Sequence, residues 1–148
     1  MKKWILLSTI VLTCFINVFS QDTELVLQAG HGQAINDIEY SPDGTKIATC
    51  SDDFTIKIWE ITTGREMTTM FGHTKAVNDL AFAPDSKTLV SVSDDKKVII
   101  WDVETGKSVK VISDHKNKML GVDYSPTGEY FATCGKDKVV LLHTVSSG

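Results

Sequence analysis

Clustered positive charge is missing from this chain of 148 residues: 15 Lys+Arg stand against 19 Asp+Glu, for a net charge of −4, and no Lys/Arg stripe runs along it. Phosphate binding needs clustered cations, so no nucleic-acid partner is expected. A helical period is missing as well. Apolar residues recur instead in short alternating runs, the pattern of half-buried strands. There is no Cys-x-x-Cys or His-Glu-x-x-His spacing, no nucleophile elbow, no P-loop and no dinucleotide fingerprint. Zinc sites and the common nucleotide and acyl-transfer chemistries therefore have no sequence footing. Proline is scarce, with three in all, and so is cysteine, also three. With 42% hydrophobic and 23% charged residues the balance is that of one globular domain rather than a disordered chain.

The three prolines, Pro42, Pro84 and Pro126, lie 42 residues apart. So do His31, His73 and His115, then Asp53, Asp95 and Asp137, and Gly64, Gly106 and Gly148. Residues 46–60 (KIATCSDDFTIKIWE) return as 88–102 (TLVSVSDDKKVIIWD) and, more weakly, as 130–144 (YFATCGKDKVVLLHT). An ungapped alignment of 24–65 with 66–107 gives 15 identities in 42 positions. Self-similarity at this period is the mark of a repeat architecture. The repeats are taken as 24–65, 66–107 and 108–148.

Each repeat reads as four short strands. In the first, 34–40 alternates, with Ile38 and Tyr40 on one face and Asp37 and Glu39 on the other, as a half-buried strand. Residues 41–45 (SPDGT) make a turn in which Pro presets φ and Gly44 supplies φ > 0. A strand over 46–51 puts Ala48 and Cys50 on one face. Asp52-Asp53 turns into 55–61, with Ile56 and Ile58 together, and 62–65 turns into 66–71. Repeat two offers Leu80 and Phe82, Val90 and Val92, then Val98 and Ile100. Repeat three offers Val122 and Tyr124, Ala132 and Cys134, then Val140 and Leu142, and stops where the others enter a fourth strand.

Residues 1–20 stand apart. Lys2 and Lys3 precede a mostly apolar 4–19 broken by Ser8, Thr9, Thr13 and Asn17, and Ser20 is a small residue ahead of Gln21. This is the pattern of a cleaved secretory signal. The alternative, an uncleaved anchor, meets the difficulty that a spanning helix needs about 20 apolar residues. A lipid-attachment site at Cys14 ranks third, because the apolar run continues past it. After cleavage no membrane span remains, and the 21–148 domain carries 13 Lys+Arg against 19 Asp+Glu, a net −6. Export would permit a disulfide, but Cys50 and Cys134 occupy the same position two repeats apart, too far to bridge. Repeat two has Val92 there, so both are expected as free, buried, hydrophobe-like thiols.

Two Gly-His dipeptides, Trp59-Glu60 and Trp101-Asp102 at the ends of third strands, and an Asp six residues before each Trp resemble the WD40 family of β-propellers across residues 24–148. The resemblance implies an all-β fold of four-stranded blades, here a partial propeller of three whose last blade lacks its outer strand. It also implies a buried hydrogen-bond chain in each blade: Trp59, Thr49, His31 and Asp53 in the first, and Trp101, Ser91, His73 and Asp95 in the second. Blade three keeps His115, Thr133 and Asp137 but has His143 at the Trp position and Asp114 in place of Gly, so a looser blade is expected. Physical reasoning supports such chains independently, because a buried indole N–H, hydroxyl and imidazole each need a partner.

Four histidines and the Asp pairs could suggest a metal. Histidines spaced one per repeat do not converge, and Asp52-Asp53 and Asp94-Asp95 lack calcium-loop spacing, so no metal and no cofactor is expected; His115 with His143 is the one pair to watch. Thr49, His31 and Asp53 have the residue types of a hydrolase triad. A Trp covering the hydroxyl and a second copy in repeat two argue against catalysis. Lys116, Lys118, Lys136 and Lys138 read as solvated loops, since Asp114, Asp123 and Asp137 are close by.

What remains is a non-catalytic interaction module. The resemblance implies protein or peptide binding on the rim that bears the loops entering each innermost strand, with Gln33, Lys75 and Asn117 and then Asp52, Asp94 and Lys136 as contact residues. The alternative is a sensor or accessory domain of a longer exported enzyme, or a truncated fragment without independent function. Closed propellers have about four to eight blades. Three blades therefore suggest either the front piece of a longer protein, the preferred reading, or a homodimer in which each chain lends residues 23–28 to its partner's third blade and completes a six-bladed ring. Export implies a periplasmic or extracellular location.

Overall fold

The structure, a computed structural model, describes residues 30–145. The expected signal segment, the 23–28 strand and the last three residues lie outside them. Eleven strands follow in order: β1 (Ile35–Tyr40), β2 (Lys46–Ser51), β3 (Ile56–Glu60), β4 (Glu66–Met70), β5 (Val77–Phe82), β6 (Thr88–Ser93), β7 (Val98–Asp102), β8 (Ser108–Ile112), β9 (Met119–Tyr124), β10 (Tyr130–Gly135) and β11 (Val140–Thr144). They form antiparallel meanders of four (β1–β4), four (β5–β8) and three strands (β9–β11), which is a partial propeller of three blades.

The turns explain the regular return of the chain. Gly44, Ser86 and Gly128 share the first turn of each blade with φ of 69°, 60° and 74°. The second turn places Phe54, Lys96 and Lys138 at 72°, 72° and 66°, a left-handed conformation that a side chain adopts at a cost. In β1 and β5 the register shifts between Ile35 and Asp37 and between Val77 and Asp79, leaving Asn36 and Asn78 on bulges that aim each amide at the next blade.

Adjacent blades pack face to face. The leading face of blade one, Ala48, Cys50, Ile56 and Ile58, meets the trailing face of blade two, Leu80, Phe82, Leu89, Ile99 and Trp101. Val90, Val92 and Val98 of blade two then meet Val122, Tyr124 and Phe131 of blade three. Truncating one such side chain to Ala costs about 2–5 kcal/mol. β1, β5 and β9 lie side by side at the inner end of the stack.

Three expectations change. Ile38 and Tyr40 are 55% and 64% exposed, while Asp37 and Glu39 on the opposite face are half-buried. Ile38 and Tyr40 share the trailing face that Leu80 and Phe82 bury in blade two, but among the described residues no blade precedes them. Cys134 is exposed although Cys50 is buried, because no further blade covers blade three among those residues. Both thiols are free. Blade three keeps a closed hydrogen-bond chain at its centre, with His143 in the place of the Trp.

Candidate functional site

In blade two, Trp101 Nε1–H donates to Ser91 Oγ (2.8 Å), Ser91 Oγ lies 2.8 Å from His73 Nε2, and His73 Nδ1 lies 3.0 Å from Asp95 Oδ2. A carboxylate only accepts, so Nδ1 carries the proton, and in the neutral ring Nε2 then accepts from Ser91 O–H. Every polar atom of the relay is thereby used. Blade one repeats it through Trp59 Nε1 to Thr49 Oγ1 (2.9 Å), Thr49 to His31 Nε2 (2.8 Å) and His31 Nδ1 to Asp53 Oδ2 (3.0 Å). Blade three joins His115 Nδ1 to Asp137 (2.7 Å), His115 Nε2 to Thr133 Oγ1 (2.9 Å), and Thr133 Oγ1 to His143 Nε2 (3.0 Å). Thr133 gives its hydrogen to His115, so His143 must donate from Nε2, replacing the indole N–H. Burial holds the His143 pKa below its ordinary value, and its ring stacks on Phe131 at 4.7 Å.

The carboxylates anchor these relays. Burial opposes ionisation of Asp95, yet His73 and the N–H groups of Thr74 and Lys97 hold its pKa at about 2. Asp53 is likewise held at about 2 against burial, by Thr55, Gly32 N–H and His31. Asp137 is lowered too: burial works against it, while His115, Val139 N–H and Lys116 N–H outweigh that.

Gly72 shows why Gly precedes His in blade two. A Cβ there would lie 2.8 Å from Trp101 Cη2. Blade three carries Asp114 at this position and His143 in place of Trp. At Gly30, nothing lies within 4 Å of an added Cβ.

The relay does not present a reactive group. Thr49, Ser91 and Thr133 are 2%, 0% and 1% exposed, and each hydroxyl is already bonded on both sides. Among the described residues no three His, Cys, Asp or Glu side chains converge to hold a metal ion. His115 and His143 meet through Thr133 instead.

The rim residues divide. Gln33, Lys75, Asn117 and Lys136 are exposed, and Asn117 Nδ2 reaches Lys136 O at 3.5 Å. Asp52 and Asp94 are half-buried and tied down. Asn36 Nδ2 donates to Asp52 (2.8 Å) and to Val77 O of blade two (2.8 Å); Asn78 Nδ2 donates to Asp94 (2.9 Å) and to Met119 O of blade three (2.6 Å). Lys118 also pairs with Asp94, which removes it from the free lysine cluster. Sequence reasoning missed these asparagines, although Asn36 and Asn78 recur in register.

It also missed the inner carboxylates. Asp37 accepts from Leu80 N–H (3.3 Å), Glu39 from Phe82 N–H (2.7 Å) and Asp79 from Val122 N–H (2.7 Å), so each clamps its blade to the next. Burial pushes Glu39 up to about 7 and Asp79 to about 6, with neighbouring carboxylates adding to both.

Residues 22–60, 64–102 and 106–143 match the WD40 family, described as WD domain, G-beta repeat. Periodic tryptophan protein 2 of Saccharomyces cerevisiae is 39% identical over 46 residues, 31% of this chain and 5% of that protein. Denticleless protein homolog of Homo sapiens is 53% identical over 38 residues, 25% of this chain and 5% of that protein. The matched stretch is thus a small part of these relatives. The crystal structure of RRP9 WD40 repeats superposes with a TM-score of 0.77 at 22% identity, covering 80% of this chain and 37% of that one. That likeness is one of fold.

Proposed function

The chain belongs to the WD40-repeat family of β-propellers, and on that premise we propose that it is a non-catalytic scaffold binding a protein or peptide partner on its loop rim. WD40 repeats are typical of protein-interaction roles. The observation that carries the reading is the closure of all three relays: His31, His73 and His115 are each held between a hydroxyl and a carboxylate, and the hydroxyls are sealed from solvent. Chemistry accessible to a partner lies on the rim, where Gln33, Lys75, Asn117 and Lys136 are exposed. Asp52 and Asp94 contribute charge there while serving the blade joints.

The signal-like pattern of residues 1–20, two lysines ahead of an apolar run, supports a periplasmic or extracellular location for this scaffold. No helix among the described residues is long and apolar enough to cross a membrane. A photo-crosslinking side chain placed at position 33, 75 or 117, compared with one at position 107 on the β7–β8 turn, tests the rim. One polypeptide joined at the rim positions and not at 107 supports the reading; equal labelling at all four sinks it. Mass measurement of the exported protein's N-terminus tests the cleavage ahead of Gln21.

A second reading is a sensor or accessory domain of a longer exported enzyme. A continuous reading frame with a catalytic domain would replace the first reading, and a chain that never folds alone would make it a fragment without independent function.

A further inference from the structure

Among the described residues the three-blade stack presents two uncovered apolar faces that match the faces joined inside it. The leading face of blade one, Ala48, Cys50, Ile56 and Ile58, is 0% exposed under blade two. Blade three repeats it as Ala132, Cys134, Val140 and Leu142, but there Cys134 is exposed, and Val140 and Leu142 are 72% and 70% exposed. At the other end Ile38 and Tyr40, an aliphatic–aromatic pair, occupy the positions at which Leu80 and Phe82 dock, 3% exposed each. The open leading face therefore fits the open trailing face by the same chemistry that already holds blade one to blade two.

We propose that a second copy of this chain covers both ends: blade one of each copy seats on blade three of the other, closing a six-bladed ring with two identical joints. Contacts of this head-to-tail kind form a ring when the rotation closes and an open filament when it does not. Two copies bring three blades to six, within the four-to-eight range at which propellers close. The polar clamp is partly prepared as well. Glu39 accepts from Phe82 N–H across the first joint, at 2.7 Å. Asp123 stands at the Glu39 position on the open face, is exposed, and would accept from Tyr40 N–H of the second copy. Lys57 stands where blade two has Ile99, but its ammonium is already paired with Glu66 at 2.6 Å. The joint forms whether or not the rim binds a partner.

The test uses the full chain expressed from Met1 and purified without detergent after host processing. Its molar mass is measured by light scattering, and Cys134 is titrated with a thiol reagent. The expected result is a mass of two chains, with Cys134 reacting as slowly as buried Cys50. Leu142→Glu and Tyr40→Glu change exposed side chains, so each is expected to halve the mass, leave the circular dichroism unchanged and free Cys134 to react. A single-chain mass with rapid Cys134 labelling overturns the proposal. So do a two-chain mass that neither variant alters, a species larger than two chains, and an aggregate.

Discussion

Asp95→Asn removes the charge at the end of the best-buried relay while keeping its shape. The Asp95 side chain is 3% exposed and lies 3.0 Å from His73 Nδ1. Its pKa falls from an ordinary 3.8 to about 2 in the folded chain. One unit of pKa corresponds to about 1.4 kcal/mol, so the ionised carboxylate stabilises the fold by roughly 2 kcal/mol at neutral pH. The folded pKa lies below the unfolded one, so this contribution is complete above the unfolded value and is lost as pH falls through the folded one. At pH 3 about half of it remains. The variant is therefore expected to lose roughly 2 kcal/mol at pH 7 and about half that at pH 3, with a melting temperature at pH 7 lower by roughly 6–10 °C. Urea unfolding followed by Trp59 and Trp101 fluorescence measures the difference. An equal loss at both pH values would show that shape rather than charge is at stake, and no loss at pH 7 would refute the anchoring role of Asp95.

Three further substitutions probe other features. Gly72→Ala forces the Trp101 ring to shift and is expected to cost about 1–3 kcal/mol, whereas Gly30→Ala, with open space at its Cβ, stays within about 0.5 kcal/mol; equal effects would remove the steric account of Gly72. Tyr124 Oη is buried without a partner, and burial pushes its pKa up to about 12, so Tyr124→Phe should raise stability by about 1 kcal/mol in urea titration, and a loss would mean the hydroxyl is bonded. Glu39→Gln keeps an acceptor for Phe82 N–H. The Glu39 pKa is raised in the fold to about 7, among Asp37, Asp79 and Asp123, so its ionisation opposes folding as pH rises from about 4.5 to 7. The variant should melt higher than the wild type at pH 8 and equally at pH 4; a gain at pH 4 would contradict the electrostatic cause.

The repeat made most of this fold readable. A single alignment of residues 24–65 with 66–107 yields the strands and the turns, because one blade cannot bury its own faces and its apolar positions must recur; the partners of the relay come from the resemblance to WD40 repeats. The alternation of Leu80 and Phe82 against Asp79 and Ala81 places the trailing face directly. The same reasoning misjudged Ile38, Tyr40 and Cys134, for a reason local pattern does not contain: burial there depends on whether another blade is present. Asp37 and Glu39 were read as solvent-facing because charge usually is. Their acceptor role depends on the N–H groups of Leu80 and Phe82, 43 residues further on.

Blade three gives the clearest case of chemistry outlasting residue identity. Its relay needs a donor to Thr133 and a ring to fill the space beside Phe131, and His143 supplies both at 3.0 Å and 4.7 Å. If the smaller ring leaves room before His115, it admits a Cβ at Asp114 where blade two, with Trp101 2.8 Å from a Cβ at Gly72, requires glycine. On that account the two departures that made this blade look weakened belong together, which a double substitution tests. Restoring only one of them should be worse than restoring both: His143→Trp brings an indole against the Asp114 Cβ, and adding Asp114→Gly should recover the stability lost. A double-mutant cycle with a favourable coupling between the two sites is expected, and additivity would separate them.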